Sequence, residues 1–308
     1  MYSTRAQKMR ASEVRELLKL TESEDILSFG GGMPDPTLFP KDELAEIVEG
    51  VVRDEKALQY SPTDGIRPFR ETVSKLLESK GIKITYEDVL ITTGSQQALD
   101  LISKVFLDPG DVVVSESPTY LSAIGAFSSY EANMVGIEMD EDGMDMDKLR
   151  SYLDKGGKCK FIYTIPTYQN PSGITMSNNR RKELLEIARE YNKPLIEDDP
   201  YGELTYEGEL MRPIKSFPDS DLVTYLGTGS KILVPGLRVA WMVGPDELLK
   251  KCSMGKQSTD LCTPALTQTI AKEIIDRGYL TAHLEKLKKV YREKRNAILG
   301  AMERYFPS

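Results

Sequence analysis

Apolar residues recur along the chain with two alternating periods. From Asp42 to Arg53, Leu44, Ile47, Val48 and Val51 share one helical face, and from Arg67 to Ser79 Phe69, Val73, Leu76 and Leu77 do the same. Asp88 to Thr92 is a short apolar strand. Helical spacing returns at once near Ser95, with Leu99, Ile102, Val105 and Phe106. The Asp108-Pro109-Gly110-Asp111 turn leads to a strand from Val112 to Ser115. Further strands are expected at Met134 to Ile137, Phe161 to Ile165, Leu195 to Glu197, Leu222 to Tyr225 and Val239 to Val243. Helices are expected at Pro118 to Ser129, Asp145 to Leu153, Ser177 to Tyr191 and Asp246 to Met254. Short apolar strands separated by helices imply an α/β fold, a buried and mostly parallel sheet with helices on both faces. Beyond Pro264 the strands stop. A helix to about Arg277 precedes a long charged helix from about Leu280 to Arg304. Near the N-terminus Val14, Leu17, Leu18 and Leu20 crowd one side of an amphipathic helix. Its basic residues are interrupted by Glu13 and Glu16 with no apolar run after them, unlike a targeting peptide.

Composition narrows the chemistry. The 308 residues are 40% hydrophobic and 29% charged, as in a globular protein, and suffice for one large domain, or one domain plus an appendage. A net charge of −8 is the wrong sign for binding a phosphate backbone, so no nucleic-acid partner is expected. No apolar run approaches the ~18 residues of a membrane span. The one histidine, His283, is expected on the surface of the long helix. Its isolation excludes multi-histidine metal sites, and also Ser-His-Asp or Cys-His catalysis unless it serves itself. Glu138 to Leu149 only faintly resembles a calcium loop, with Leu149 where a bidentate Glu belongs, and reads as a solvated turn. Cys159, Cys252 and Cys262 are scattered and odd in number, as expected of reduced thiols in a cytoplasmic protein. Any catalysis must therefore come from lysine, acids, tyrosine or a cofactor.

In open α/β sheets ligands sit at the carboxyl ends of strands. Four such ends carry chemistry. After Thr92 comes Thr93-Gly94-Ser95-Gln96-Gln97-Ala98, which opens a helix with free N–H groups suited to an anion; Ser95 as a plain N-cap is the alternative. After Ile165 comes Pro166-Thr167-Tyr168-Gln169-Asn170-Pro171-Ser172-Gly173, in which the proline holds Asn170 extended and leaves its amide free; a simple turn would look the same. After Glu197 comes Asp198-Asp199-Pro200-Tyr201, where the acids could also be solvated loop charges. After Tyr225 comes Gly227-Thr228-Gly229-Ser230-Lys231, then Pro235-Gly236-Leu237-Arg238. The spacing is not that of a Walker loop. It does join a lysine able to form a Schiff base with an arginine able to clamp phosphate.

Together these clusters resemble the fold-type I pyridoxal-phosphate aminotransferases of class I and II. The matching motifs are Thr-Gly-Ser-Gln-Gln-Ala at 93–98, Asn-Pro-Ser-Gly at 170–173, Asp-Asp-Pro-Tyr at 198–201 and Ser-Lys followed by Pro-Gly-Leu-Arg at 230–238. Within that family the chain is similar to the 2-aminoadipate/kynurenine branch, through Leu-Ser-Phe-Gly-Gly-Gly-Met-Pro at 27–34 and Leu-Gln-Tyr-Ser-Pro-Thr-Asp-Gly at 58–65. The resemblance implies pyridoxal 5′-phosphate as cofactor, joined to Lys231 as a Schiff base, with Lys231 also the general acid/base. It implies that Asp198 pairs with the pyridine nitrogen, that Tyr201 and Asn170 bond the phenolic oxygen, and that Tyr120 stacks on the ring. Gly94, Ser95, Gln96, Ser230, Arg238 and Thr228 would hold the phosphate, and Tyr60 the phosphate of the neighbouring subunit of a homodimer. Arg15 would meet the distal carboxylate of an acidic substrate, near Gly31 and Gly32; one surface arginine on a charged helix is the plainer reading of Arg15.

The resemblance further implies transfer of an amino group between an amino acid and a 2-oxo acid such as 2-oxoglutarate. Aromatic or kynurenine transamination, β-lyase chemistry, and cofactor binding without catalysis are the alternatives. The expected organisation is an N-terminal arm over 1–40, a large cofactor-binding domain over 41–279 and a helix over 280–308 that leads toward a small domain. In the family that small domain carries the arginine for the substrate α-carboxylate, and no residue of this sequence is assigned that role. Apolar surface on the arm and the long helix is expected to be exposed.

Overall fold

The computed structural model describes residues 1–8 and 31–307. The expected N-terminal amphipathic helix, Arg15 with it, lies outside the described residues. Eight strands form one sheet: β1 (Val89–Thr92), β2 (Val112–Ser117), β3 (Asn133–Asp140), β4 (Gly143–Met144), β5 (Phe161–Thr164), β6 (Leu195–Asp199), β7 (Val223–Thr228) and β8 (Ala240–Val243). Their order across the sheet is β1-β8-β7-β6-β5-β2-β3-β4. Strands β3, β2, β5, β6 and β7 run parallel, while β8 is antiparallel to both β7 and β1. The two reversals cancel, so β1 points the same way as β7. The carboxyl ends of β1, β7, β6, β5 and β2 therefore share one edge. Strand β8 begins at that edge, where Ala240 lies opposite both Thr92 and Thr228.

The helices are α1 (Thr4–Lys8), α2 (Lys41–Val51), α3 (Arg67–Ser79), α4 (Ser95–Phe106), α5 (Leu121–Ser128), α6 (Met146–Asp154), α7 (Asn178–Glu190), α8 (Asp246–Gln257), α9 (Ala265–Asp276) and α10 (Tyr279–Tyr305). Every position of β1, β5, β6, β7 and β8 is buried, because helices cover both faces. On one face α4, α5 and α8 pack around Leu99, Ile102, Phe127, Phe161 and Tyr163. On the other, α6 and α7 close over Ile162, Leu184 and Leu195, while α2, α3 and α9 pack with Phe69, Val73 and Trp241. Caps fix where helices begin: the Asp145 carboxylate accepts from Lys148 N, and Ser177 Oγ from Arg180 N. No helix among the described residues is long and apolar enough to cross a membrane.

Two expectations need correction here. His283 is buried rather than on the surface, at 6% exposure. It shares a stripe with the buried Leu280, Leu284 and Leu287, so the core-facing side of α10 includes it. Burial foremost, with the nearby Lys286, keeps its pKa below the ordinary histidine value. The acidic turn at 138–149 is also more than solvated charge. It is a hairpin between β3 and the two-residue β4, and Asp142 accepts hydrogen bonds from Ser177 N at 2.5 Å and Ser177 Oγ at 2.6 Å. At the far end of α10, Ile298, Leu299, Met302, Tyr305 and Phe306 are exposed, as expected for that helix.

Candidate active site

The shared strand edge brings the four sequence clusters together. Beyond β1 the chain turns through Gly94, whose φ of +83° suits glycine. Gly94, not Ser95, is the N-cap of α4; Ser95 is the first helical residue, so the plain capping reading of Ser95 does not hold. A Cβ on Gly94 would lie 2.3 Å from Arg238 Nη2, so the turn and the guanidinium can approach only because the side chain is missing. Arg238 itself has φ +54°, a left-handed conformation that costs a non-glycine residue roughly 1–2 kcal/mol. Its Nη1 donates to Ser230 Oγ at 3.4 Å and Pro235 O at 3.3 Å. Thr228 Oγ1, buried, accepts from Ser230 N at 3.1 Å. Free N–H groups at the start of α4, two hydroxyls and a guanidinium make a cradle for a compact anion. Gln96 sits in the same first turn, its amide donating to Ser122 O of α5 at 3.1 Å.

Lys231 follows this cradle. It is half-buried, and its Nζ donates to Gly32 O at 2.8 Å. Burial lowers its pKa, which raises the fraction of nucleophilic free amine at neutral pH. Gly31 and Gly32 are both exposed.

The two acids that end β6 part company, since successive side chains of a strand enter opposite faces. Asp198 is 3% exposed; its Oδ2 accepts from Tyr163 OH at 2.8 Å, while its Oδ1 is buried with no partner among the described residues. Burial pushes it up to about 7 in spite of the Tyr163 hydrogen bond, and the Asp199 charge adds to the rise. Asp199 is not a solvated loop charge. It accepts from Tyr225 OH at 2.8 Å and from Gly202 N at 2.9 Å, and Lys80 Nζ lies 3.3 Å away. Burial opposes its charge, but Lys80 and these hydrogen bonds outweigh it and hold the carboxyl below its usual range. Lys80 also pairs with Glu203 at 3.1 Å.

Between these groups the Asn170 amide donates to Tyr201 OH at 3.5 Å, so two residues 31 apart in sequence converge. Tyr120, at the N-terminus of α5, is half-buried against the α4–α5 face; burial foremost raises the pKa of the Tyr163 and Tyr201 phenols, with Tyr120 among the lesser causes. Tyr60 stands apart: it is 78% exposed, on a segment tied down by Ser61 Oγ donating to Thr263 O at 2.9 Å.

Sequence reasoning passed over several members of this site. Tyr163 lies within the short strand β5, which looks like plain core, and Glu116 lies near the end of β2, just past the expected strand. Glu116 accepts from Thr164 Oγ1 and from Ile165 N at 3.1 Å, and so fastens the end of β5 from which the Asn170 loop departs. Burial pushes it up to about 7. Lys80 sits at the C-terminus of α3, where nothing local distinguishes it from a surface lysine.

The arrangement fits pyridoxal phosphate. The cradle offers donors for a phosphate, Lys231 offers an amine for an aldehyde, and the unpartnered Asp198 Oδ1 needs a buried N–H such as a protonated pyridine would bring. Comparison with known proteins agrees. The profile of the family described as "Aminotransferase class I and II" matches residues 34–307. The aromatic-amino-acid aminotransferase 1 of Thermococcus litoralis is 45% identical over 99% of this chain and 75% of its own length. The crystal structure of Pyrococcus horikoshii kynurenine aminotransferase in complex with PMP superposes with a TM-score of 0.94 at 48% identity, over 100% of this chain and 78% of that one. The α-aminoadipate aminotransferase LysN of Thermus thermophilus, complexed with N-(5′-phosphopyridoxyl)-L-leucine, gives 0.91 at 41% identity, over 99% and 77%. The chain thus spans about three-quarters of these relatives. It belongs to the class I and II aminotransferases, pyridoxal-phosphate-dependent enzymes of the fold-type I class.

Proposed function

We propose that this chain moves an amino group between a 2-aminoadipate-like amino acid and a 2-oxo acid such as 2-oxoglutarate, with Lys231 as the residue that holds the cofactor. The observation that carries this reading is the buried, unpartnered Oδ1 of Asp198 at the same strand edge as a half-buried lysine of lowered pKa. When bound, pyridoxal phosphate supplies a carbonyl carbon that takes up the amino group and a ring that withdraws electrons from the substrate Cα.

The residues of the chain do the rest. Lys231 would hold the cofactor covalently, and its amine, once freed, would carry a proton between the substrate Cα and C4′, the former carbonyl carbon, on the far side of the nitrogen. Asp198 accepts the N–H of the protonated ring. The cationic partner turns a carboxyl that otherwise sits near pH 7 into a firm carboxylate. Tyr201 OH and the Asn170 amide, already 3.5 Å apart, orient the ring oxygen, and Tyr120 covers a ring face. Gly94, Ser95, Gln96, Thr228, Ser230 and Arg238 bind the phosphate. Gly31 and Gly32 leave room for substrate, and Arg15 selects a distal carboxylate.

Exposed Tyr60 is read as reaching the phosphate of a second subunit, which makes the working form a homodimer. The domain limits at 40/41 and 279/280 belong to this reading, as does a cytoplasmic location, which the free thiols Cys159, Cys252 and Cys262 support.

The test is a visible spectrum of the 308-residue chain with pyridoxal phosphate, before and after 2-aminoadipate. The proposal expects the cofactor band to appear and then shift to the pyridoxamine form. A band that no amino acid converts would overturn it. Conversion by aromatic but not acidic amino acids, unaffected by Arg15→Ala, would transfer the assignment to the aromatic and kynurenine enzymes.

A further inference from the structure

The turn that opens α4 has an unusual neighbour for an anion site. The Asp260 carboxylate lies directly against it: Oδ2 accepts from Gln97 Nε2 at 2.6 Å and from Thr93 Oγ1 at 2.9 Å. A carboxylate there repels a phosphate bound at Gly94 and Ser95. Its counter-charge is Lys256, whose side chain is fully buried while that of Asp260 keeps 27% exposure. Lys256 Nζ donates to both Asp260 oxygens at 2.9 Å and to Gln97 Oε1 at 2.7 Å. The same Gln97 oxygen accepts from Thr93 N at 2.8 Å, so one lysine holds both ends of the turn. Thr93 Oγ1 also lies 3.1 Å from Thr263 Oγ1. Burying a lysine is costly, and here three charge-assisted hydrogen bonds offset part of that cost, although burial still leaves the Lys256 pKa below its ordinary value.

We propose that Lys256 is a positioning residue for the phosphate end of the cofactor, fixing the Thr93–Gln97 turn and neutralising the carboxylate that would otherwise oppose the phosphate. Lys256 touches neither cofactor nor substrate in this account; it acts through Gln97 and Asp260. The inference rests on the reading that the Gly94 turn takes the phosphate.

Two variants break the same ion pair with opposite electrostatic consequences. Lys256→Met leaves an uncompensated carboxylate beside the turn; Asp260→Asn removes that carboxylate and leaves the lysine. Binding is measured twice, with pyridoxal phosphate and with pyridoxal, which lacks the phosphate. Lys256→Met should weaken pyridoxal phosphate by at least ~10-fold and pyridoxal by less than ~2-fold. Asp260→Asn should bind pyridoxal phosphate as tightly as the parent or tighter. A mere structural brace predicts instead that both variants weaken both ligands alike, and that outcome overturns the proposal. So does a Lys256→Met protein that keeps the parent's preference for the phosphorylated ligand. If Lys256→Met does not fold, Asp260→Asn decides alone, since a ~10-fold weakening there contradicts the electrostatic role. A parent that binds both ligands equally would instead overturn the phosphate assignment of the turn.

Discussion

Asp198 and Asp199 are the last two residues of β6, and the chain treats them in opposite ways. On the Asp199 side the carboxylate is saturated by Tyr225, Gly202 and Lys80. On the Asp198 side one oxygen has Tyr163 and the other has no partner among the described residues. Burial is comparable, yet the first carboxyl is held low and the second is pushed up to about 7. The first is complete without a ligand and serves the fold. The second is left with an unmet hydrogen-bonding need, which is what a site prepared for a cationic partner looks like from inside.

Lys231→Ala tests the ligand side of the contrast with the largest effect. The half-reaction with an amino acid should slow by at least ~10⁴-fold, because nucleophile and general base are lost together. Stopped-flow absorbance checks this, and a rate near the parent's would remove Lys231 from its role. Next comes Asp198→Asn, which should slow the half-reaction by roughly 10²–10³-fold as the ring loses its counter-charge.

The same variant carries a pH signature. An unfolded aspartate titrates near ~4, and Asp198 in the cofactor-free fold titrates at about 7. Between these values the native protein holds a proton that the unfolded chain has lost. Stability should therefore fall as the pH rises through that window. Glu116 and Glu197, both pushed up to about 7 chiefly by burial, act in the same direction. Asp198→Asn should flatten the fall between about pH 4 and pH 7, read from urea unfolding of the cofactor-free protein. An unchanged slope would place the shift elsewhere.

On the structural side, Lys80→Met strands a buried carboxylate and should cost about 3–5 kcal/mol of stability. Loss of activity without loss of stability would mean that Lys80 belongs to the chemistry instead. The smallest effect is expected from Tyr163→Phe. It removes the one donor to Asp198 and should cost about 10-fold in the half-reaction, the equivalent of one charge-assisted hydrogen bond. An unchanged rate would mean that the bond tunes nothing.

The contrast also shows what a sequence can and cannot disclose. The strand ends were legible, because Gly94, Asn170, Asp198, Tyr201, Lys231 and Arg238 sit in short local motifs directly after apolar runs. Helices such as α3, expected and found over Arg67–Ser79, were legible from their apolar period alone. Tyr163 was not, since its meeting with Asp198 depends on the register that sets it opposite Ile196 across the β5–β6 ladder. Lys80 and Lys256 were not, because their partners Asp199 and Gln97 lie 119 and 159 residues away. His283 was misplaced because charges flanking it concealed the leucine stripe it shares. The reversal of β8, which brings Arg238 to Gly94, is likewise a property of the sheet and not of any one segment.

The most direct test of the account is to find the lysine that holds the cofactor. The protein is loaded with pyridoxal phosphate, reduced with borohydride and digested, and the phosphopyridoxyl mass is located by peptide mapping. The account predicts the label on the peptide containing Lys231 and its disappearance in Lys231→Ala. A label on another lysine, or one spread over surface lysines without preference, would contradict it.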